Sequence, residues 1–333
     1  METRKVQVTG KSTYIVTLPK KWAVDSGLVA GALVRISYLD DGSIVITPPE
    51  HGQDPRMKRL KFDNASIDGR TVKSAEETMR DLIGAYVMGY QAIEVYADHN
   101  HIPKELARAM KRTCHNLIGF EVIEETDEKV VIQDLLDAGE FTIERGVKRM
   151  SSLVSLMLDG LINYLKTGDT EILSEIISRD DEVDRAYLLI SKQFVNRLSL
   201  IRSMEVDKLS LIESFYYRLA AGNLERIADH AVKIAEVFSH IGIPATAPPI
   251  KESVSVPQNL VISSIESLRK SNVSLANEVI SENTLVKKRL SKSVSTATPV
   301  TAISSPEIIF DSLIRIGDYA ANIAELAIDL SQL

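Results

Sequence analysis

An internal repeat in the C-terminal part of the chain restricts its possible folds more than any other feature. Leu224–Glu236 recurs 89 residues later as Leu313–Glu325, and both segments read Leu-x-Arg-Ile-x-Asp-x-Ala-x-x-Ile-Ala-Glu. A weaker match pairs the segments that start at Leu165 and Leu268, at an offset of 103. Apolar residues follow helical spacing in each copy, and short turns place sequential amphipathic helices antiparallel. The repeat therefore predicts two tandem three-helix bundles within residues 140–333.

The bundle limits follow from these patterns and from a proline-rich break between the copies. Residues 243–250 read Ile-Pro-Ala-Thr-Ala-Pro-Pro-Ile, a composition typical of linkers. We therefore expect the first bundle at 140–242 and the second at 251–333. The expected helices are about 140–167, 170–200 and 206–240, then about 252–271, 273–291 and 306–332.

The first 138 residues have a different pattern. Within residues 1–50, apolar and polar residues alternate as in half-buried strands, Pro19 opens a short helix, and Asp41-Gly42 predicts a hairpin turn. A segment this small buries little apolar surface and needs a second copy to complete its core. Residues 56–138 alternate helical and strand patterns, which predicts a small α/β unit without a phosphate-binding glycine loop and of no assigned role.

Composition fits a multidomain, mainly α protein of the cytoplasm. The 333 residues carry 39 Lys and Arg against 46 Asp and Glu, a net charge of −7. No apolar stretch approaches the roughly 20 residues that a membrane-spanning helix needs, so no membrane insertion is expected. The single cysteine excludes an intramolecular disulfide and a thiolate zinc finger within one chain. No catalytic triad or phosphate-binding loop stands out, so we expect no enzyme activity.

Four acidic residues are the candidate metal ligands. Asp180 and Asp184 share one helix face, and Glu225 and Asp229 share another, because residues four apart are neighbours on a helix. If the two helices are adjacent, the carboxylates converge and favour an oxygen-liganded ion: Mg, Mn, Ca, or a carboxylate-bridged Fe or Zn. The alternative is an ordinary solvated acidic face.

The second copy of the repeat lacks most of these acids. Asn283 stands in place of Asp180, Lys287 in place of Asp184, and Ile314 in place of Glu225. Only Asp229 is matched, by Asp318. A metal site is therefore predicted in the first bundle alone.

Basic residues near the N-terminus are the candidate DNA-binding residues. The segment between residues 4 and 21 has no acidic residue, so it forms a positive patch in an acidic chain. The alternative is that these side chains only keep the module soluble. The predicted DNA contacts are Arg4, Lys5, Lys11, Lys20 and Lys21.

The Leu224–Glu236 segment resembles the signature of the PhoU phosphate-uptake regulator family, and Asp180-Asp-Glu-Val-Asp184 resembles the acidic motif of its second helix. This resemblance covers about 140–333. It implies two three-helix bundles and divalent metal, often iron or zinc, on the acidic faces. The substitutions at Asn283, Lys287 and Ile314 depart from the family pattern.

The N-terminal segment resembles the AbrB/SpoVT/MazE swapped-hairpin domain. The resemblance rests on Tyr14-Ile-Val-Thr-Leu-Pro-Lys-Lys-Trp22, on Gly27-Leu-x-x-Gly31 and on Asp41-Gly-Ser-Ile-Val-Ile-Thr-Pro48. It implies interlaced dimers that bind DNA through a basic β surface, although such domains also serve only for dimerisation. An AbrB-like head joined to PhoU-like bundles resembles archaeal phosphate-uptake regulators.

Together these features predict a homodimeric regulator of phosphate uptake that binds the promoters of phosphate-transport genes. The alternative is an adaptor that docks on the ATPase subunit of a phosphate ABC transporter without binding DNA. A metal-dependent hydrolase ranks last, because no nucleophile or general base is evident.

Overall fold

A computed structural model of the chain describes residues 2–10, 12–38, 42–48, 56–62, 66–67, 70–71, 74–97, 101–136, 141–198, 209–242, 247–296 and 305–333. The chain divides into two compact units, Met1–Asp54 and Pro55–Leu333. The fold class predicted from the sequence is confirmed: the chain is mainly α, with a small β-rich part at its N-terminus and helical bundles at its C-terminal end.

The first unit has two antiparallel strand pairs and one short helix, as the alternating pattern predicted. Its elements are β1 (Gln7–Thr9), β2 (Thr13–Ile15), α1 (Lys20–Asp25), β3 (Arg35–Tyr38) and β4 (Ile44–Thr47), with β1 paired to β2 and β3 to β4. Gly42, with φ +80°, lies between β3 and β4, whereas Asp41 of the predicted turn lies outside the described residues. None of the described residues of this unit is buried, and Leu33 and Tyr38 are 85% and 80% exposed. One copy therefore does not close a core.

The second unit begins with a four-stranded sheet covered on one face by two helices. Its elements are β5 (Met57–Phe62), β6 (Ser66–Ile67), β7 (Arg70–Thr71), α2 (Ala75–Val87), β8 (Ala92–Ala97), α3 (Lys104–His115), β9 (Phe120–Glu125) and β10 (Lys129–Asp134). The strand order is β5-β8-β10-β9; β5 and β8 are parallel and the other pairs antiparallel, while β6 and β7 form a separate ribbon. Leu82, Tyr86, Met110 and Phe120 are buried in the core of this α/β part.

Six long helices complete the second unit. They are α4 (Ile143–Thr167), α5 (Glu171–Leu198), α6 (Leu211–Ile241), α7 (Ala247–Lys270), α8 (Val273–Thr296) and α9 (Ser305–Leu330). Helices α4, α5 and α6 pack on one another, and so do α7, α8 and α9. Helix α6 also lies along α9, and α4 along α7, so the two bundles share one continuous apolar core.

Three helix limits each differ from the sequence prediction by five residues. Helix α6 begins at Leu211 rather than near 206, because Ser210 caps it and its side chain accepts a hydrogen bond from the Glu213 backbone N–H. Helix α7 begins at Ala247, so the second half of the predicted 243–250 linker is helical. Pro248 and Pro249 fall in its first turn, where the backbone N–H groups have no intrahelical partner and proline is tolerated. Helix α8 continues to Thr296, five residues beyond the predicted end at 291, because no glycine or proline stops it there.

A buried ion pair connects the α/β part to helix α5. Lys192 of α5 is 2% exposed, and its Nζ lies 2.5 Å from Asp134 Oδ2 at the end of β10. The same ammonium lies 4.6 Å from the centre of the Tyr86 ring and 5.2 Å from that of Phe120. Gly89, with φ +72°, lets the chain turn directly against Asn196 of α5. A charged group is thus the centre of an otherwise apolar junction.

None of the helices in the described part of the chain is both long and apolar enough to cross a bilayer.

Candidate functional site

The structure places the four predicted metal ligands on one surface formed by α5 and α6. Asp180, Asp184, Glu225 and Asp229 are here called the acidic face. Burial of the apolar stripes of α5 and α6 against each other aligns the two carboxylate pairs. Asp180 and Glu225 are half-buried, whereas Asp184 and Asp229 are exposed. The acidic face is therefore a cluster of like charges.

The electrostatics of the acidic face show how strongly its carboxylates affect one another. Partial burial, followed by repulsion from Asp184, Asp229, Asp181 and Glu225, raises the pKa of Asp180 to about 6. Burial and neighbouring carboxylates also raise the pKa values of Asp184 and Glu225. One oxygen of Asp180, Oδ1, is buried and has no hydrogen-bond partner. Arg226 partly offsets the repulsion at Glu225, but none of the four carboxylates forms an ion pair with a described residue.

The acidic face has the type of ligand atoms that a metal ion needs, but these atoms are not arranged as a coordination site. Carboxylate oxygens are the ligands that hard divalent cations prefer, and the orphaned Asp180 oxygen is a free donor. However, no group of three or more His, Cys, Asp or Glu side chains among the described residues is arranged to hold an ion. The carboxylates are close enough to repel one another without converging on one point.

The equivalent surface of the second bundle has an internal counter-ion. Lys287 Nζ lies 2.8 Å and 3.1 Å from the two carboxylate oxygens of Asp318. Asn283 Nδ2 donates a hydrogen bond of 3.0 Å to Asp318 Oδ1. The residues that replace Asp180 and Asp184 thus contact the equivalent of Asp229. In the second bundle an ammonium and an amide contact the carboxylate of Asp318, whereas the acidic face has no such partner among the described residues.

His230, which follows Asp229 in the sequence, belongs to the contact between the bundles. Its ring stacks at 5.9 Å on Tyr319 of α9, and its Nδ1 is buried without a hydrogen-bond partner. Burial, followed by the nearby charge of Lys233, lowers the pKa of His230. His230 therefore has a packing role between the bundles.

The predicted DNA-binding residues that the structure describes are all exposed. They are Arg4, Lys5, Lys20 and Lys21; Lys11 lies outside the described residues. Arg4 forms an ion pair with Glu2, two residues before it. Lys20 and Lys21 open α1. The positive patch is therefore accessible, and part of its charge is compensated by Glu2.

Sequence reasoning missed the junction between α5 and the α/β part. Arg185, Leu188, Lys192 and Asn196 recur at intervals of three or four residues, a second stripe beside the one that faces the bundle core. Leu188 packs against the core of the α/β part, and Lys192 binds Asp134. The regular spacing of these residues is visible in the sequence. The sequence does not show what they contact, because Asp134, the partner of Lys192, lies 58 residues earlier in the chain.

Neutralising Asp180 is expected to stabilise the metal-free protein near neutral pH. Its pKa in the folded state, about 6, lies above the ordinary 3.8, so folding favours the protonated form. Protonation of Asp180 therefore contributes to the free energy of unfolding. This contribution is fully present below pH 3.8 and is lost as the pH rises through about 6. After allowance for solvent screening, we expect Asp180→Asn to add about 1 kcal/mol to the free energy of unfolding near neutral pH.

Urea unfolding with a chelator present, at about pH 5 and about pH 7.5, measures this effect. Asp180→Asn should narrow the stability difference between the two pH values, whereas the exposed control Glu282→Gln on α8 should not. An unchanged difference in Asp180→Asn would show that the acidic face carries no excess repulsion.

Comparison with known proteins identifies two domains in the chain. Residues 147–238 match the PhoU domain, and residues 7–54 match the bacterial antitoxin family described as antidote-toxin recognition MazE. The acidic face lies within the first match and the positive patch, apart from Arg4 and Lys5, within the second. The two resemblances seen in the sequence are confirmed.

The curated relatives are phosphate-transport accessory proteins. A PhoU homologue of the phosphate-specific transport system from Caulobacter vibrioides is 33% identical over 96 residues, which is 29% of this chain and 39% of that protein. The corresponding protein of Aquifex aeolicus is 26% identical over 173 residues, covering 50% of this chain and 68% of the relative. The match to the Caulobacter protein thus spans about two fifths of that protein's length.

Among solved structures, PhoU from Pseudomonas aeruginosa is similar to this chain, with 24% identity and a TM-score of 0.49 over 57% of this chain and 95% of that one.

Proposed function

We propose that this chain regulates phosphate transport as a cytoplasmic, DNA-binding homodimer whose helical bundles respond to a divalent cation. The observation that carries the proposal is the presence, in one chain, of a PhoU domain and a MazE-type domain. The curated relatives that share the PhoU domain are named as accessory proteins of phosphate-specific transport. No catalytic step is part of this function.

The exposed apolar surface of the first unit supports a homodimer. Val8, Tyr14, Leu33 and Tyr38 are 61–85% exposed, and no described residue of the unit is buried. Apolar surface on this scale needs a covering partner, and a second identical unit is the natural one for a domain too small to form its own core. Dimerisation would stabilise each copy by completing a shared core.

The exposed cations of the same unit support DNA as its ligand. Lysine and arginine side chains bind phosphates and displace condensed counter-ions, which supplies most of the sequence-independent affinity for DNA. A dimer doubles the four described cations of the patch and spaces two copies along the duplex. The proposed targets are promoters of phosphate-transport genes.

The acidic face supports a divalent cation in the first bundle. Asp180, Asp184, Glu225 and Asp229 would hold it, and Mg, Mn, Fe and Zn are the candidate ions. A bound cation would neutralise the repulsion that raises the pKa of Asp180. The response of α5 and α6 to that neutralisation is the proposed signal.

A second candidate function is that of an adaptor on the transporter itself. The names of the curated relatives favour it, since they describe accessory proteins of a transport system. In that case the chain would bind the ATPase subunit of a phosphate ABC transporter and leave DNA unbound. Co-purification with that subunit, without retention on promoter DNA, distinguishes the adaptor from the DNA-binding regulator.

Reversing two charges in the head tests the DNA-binding function. Lys20→Glu/Lys21→Glu is expected to weaken binding to a phosphate-transport promoter at least tenfold, because counter-ion release at the phosphates that these lysines neutralise no longer contributes. The slope of log affinity against log salt should become shallower by roughly 0.9 for each phosphate that the variant leaves unneutralised. Fluorescence anisotropy of a labelled promoter duplex, titrated at several salt concentrations, measures both quantities.

The control has the same charge change outside the head. Lys104→Glu/Arg108→Glu reverses two exposed cations on α3 and should leave the affinity nearly unchanged. An equal decrease in both variants would indicate a general charge effect, and full retention of binding by Lys20→Glu/Lys21→Glu would contradict the assigned patch.

A further inference from the structure

A cavity lies where the two helical bundles meet, away from the acidic face. Its volume is about 410 Å³, and its walls come from α4 of the first bundle and α7 of the second, with Tyr217 of α6. Cavities that hold small organic ligands measure about 300–1,000 Å³, so this one is large for an isolated inorganic ion. A ligand bound there would touch both bundles at once.

The α4 wall of the cavity is mainly polar, and the α7 wall combines apolar side chains with Glu266 and Arg269. On α4, the Ser151 and Ser155 hydroxyls face the cavity and make no hydrogen bond within the described residues. On α7, Ile262 and Ile265 form the opposite wall, and Ile262 is 45% exposed. Such walls suit a molecule that combines apolar surface with polar groups.

Two exposed cations line the same cavity, and Arg269 adds to the lowering of the pKa of Glu266 that Lys270 mainly causes. Lys148 of α4 and Arg269 of α7 form no ion pair in the part of the chain that the structure describes. The carboxylate of Glu266, which also lines the cavity, forms an ion pair with Lys270, with 2.6 Å between Oε1 and Nζ. Two unpaired cations from opposite walls favour an anionic group between them, and arginine binds phosphate oxygens in a bidentate manner.

The interior of the cavity also has an unsatisfied hydroxyl and a free acceptor. Tyr217 is 7% exposed, and its hydroxyl donates no hydrogen bond to a described residue. Burial and the nearby carboxylates of Glu144 and Glu213 raise the pKa of Tyr217, whereas Arg269 lowers it. Glu144 also lines the cavity and forms no ion pair among the described residues, so it is an acceptor for ligand hydroxyl or amino groups.

We propose that this cavity is a binding site for a nucleoside phosphate, held by its phosphate between Lys148 and Arg269 and by its ring against Ile262 and Ile265. A free phosphate ion uses only the two cations, and an uncharged nucleoside leaves both cations unpaired. A nucleoside phosphate satisfies the cations, the serine and tyrosine hydroxyls, the Glu144 carboxylate and the apolar wall together. Because the ligand bridges α4 and α7, it fixes the position of one bundle against the other. This site is independent of the proposed DNA and metal functions.

Calorimetric titration of the full chain in phosphate-free buffer tests the site, with AMP as the probe. AMP is expected to bind once per chain, and adenosine and inorganic phosphate at least tenfold more weakly. Lys148→Gln/Arg269→Gln is expected to lower the AMP affinity at least tenfold, because it removes two charge-assisted hydrogen bonds. Both side chains are exposed, so the variant keeps its fold.

Two further variants separate the cavity from its surroundings. Ser155→Leu fills the cavity and should abolish AMP binding, whereas Lys166→Gln removes an exposed cation of α4 outside the lining and should leave it unchanged. The proposal is overturned if AMP does not bind at millimolar concentration, if adenosine or inorganic phosphate binds as tightly as AMP, or if Lys148→Gln/Arg269→Gln retains the full affinity.

Discussion

Replacing Lys192 by alanine is expected to lower the free energy of unfolding by about 3–5 kcal/mol, the usual effect of removing one partner of a buried ion pair. The ammonium is almost completely excluded from solvent, and Asp134 is its partner. Its removal leaves the Asp134 carboxylate without a counter-ion in the junction, where it is 12% exposed. It also removes the cation from the Tyr86 and Phe120 rings and leaves a cavity beside them.

Urea unfolding at neutral pH measures this destabilisation, and two variants show its origin. Lys192→Met/Asp134→Leu removes both charges and keeps the volume, so it should recover most of the stability, because paired buried charges contribute little net stabilisation. Lys270→Ala breaks an exposed ion pair with Glu266 and should cost less than about 1 kcal/mol. A Lys192→Ala effect as small as that of Lys270→Ala would contradict a buried pair at the junction.

A divalent cation at one hundred times its dissociation constant is expected to stabilise the wild-type chain by about 2.7 kcal/mol, provided that it binds only the folded state. The acidic face provides the reason: desolvation, followed by repulsion from neighbouring carboxylates, raises the pKa values of Asp180, Asp184 and Glu225. A bound cation would relieve that repulsion and would give the orphaned oxygen of Asp180 a partner. Thermal unfolding after chelation, followed by separate titrations with Mg, Mn, Fe and Zn, measures the gain.

The repeat offers a matched control for this experiment. Glu225→Ala/Asp229→Ala should abolish the metal-dependent stabilisation and reduce the metal that co-purifies with the chain. Asp318→Ala changes the position in the second bundle that corresponds to Asp229, and it should leave the metal response intact because Lys287 already occupies that surface. Equal metal content in wild type and Glu225→Ala/Asp229→Ala would remove the cation site.

The sequence predicted those parts of the fold that depend on regular spacing. The repeat around Leu224 and Leu313 located the third helix of each bundle, and both leucines are fully buried. Period-two alternation located the strands of the first unit, and i,i+4 acidic pairs located the acidic face. In each case the information lies within a few residues along the chain, where periodicity reports which side faces the core.

The sequence did not predict features that depend on contacts between distant segments of the chain. The partner of Lys192 lies on another part of the fold, and the cavity between α4 and α7 depends on how two helices 100 residues apart are placed side by side. The start of α7 differs from the prediction for another reason. A run of prolines usually indicates a break between helices, but in the first turn of a helix proline removes no backbone hydrogen bond.

The ion pair between Lys287 and Asp318 makes the two bundles differ in how the charge of their carboxylates is balanced. A lysine is covalently part of the chain, so the charge balance of the second bundle stays constant whatever ions surround the protein. The carboxylates of the acidic face form no ion pair with a described residue, so no side chain of that part of the chain fixes their charge balance in the same way. Under the proposed cation binding, the charge of the acidic face would change with the ions in solution, whereas the surface around Asp318 would keep its own counter-ion.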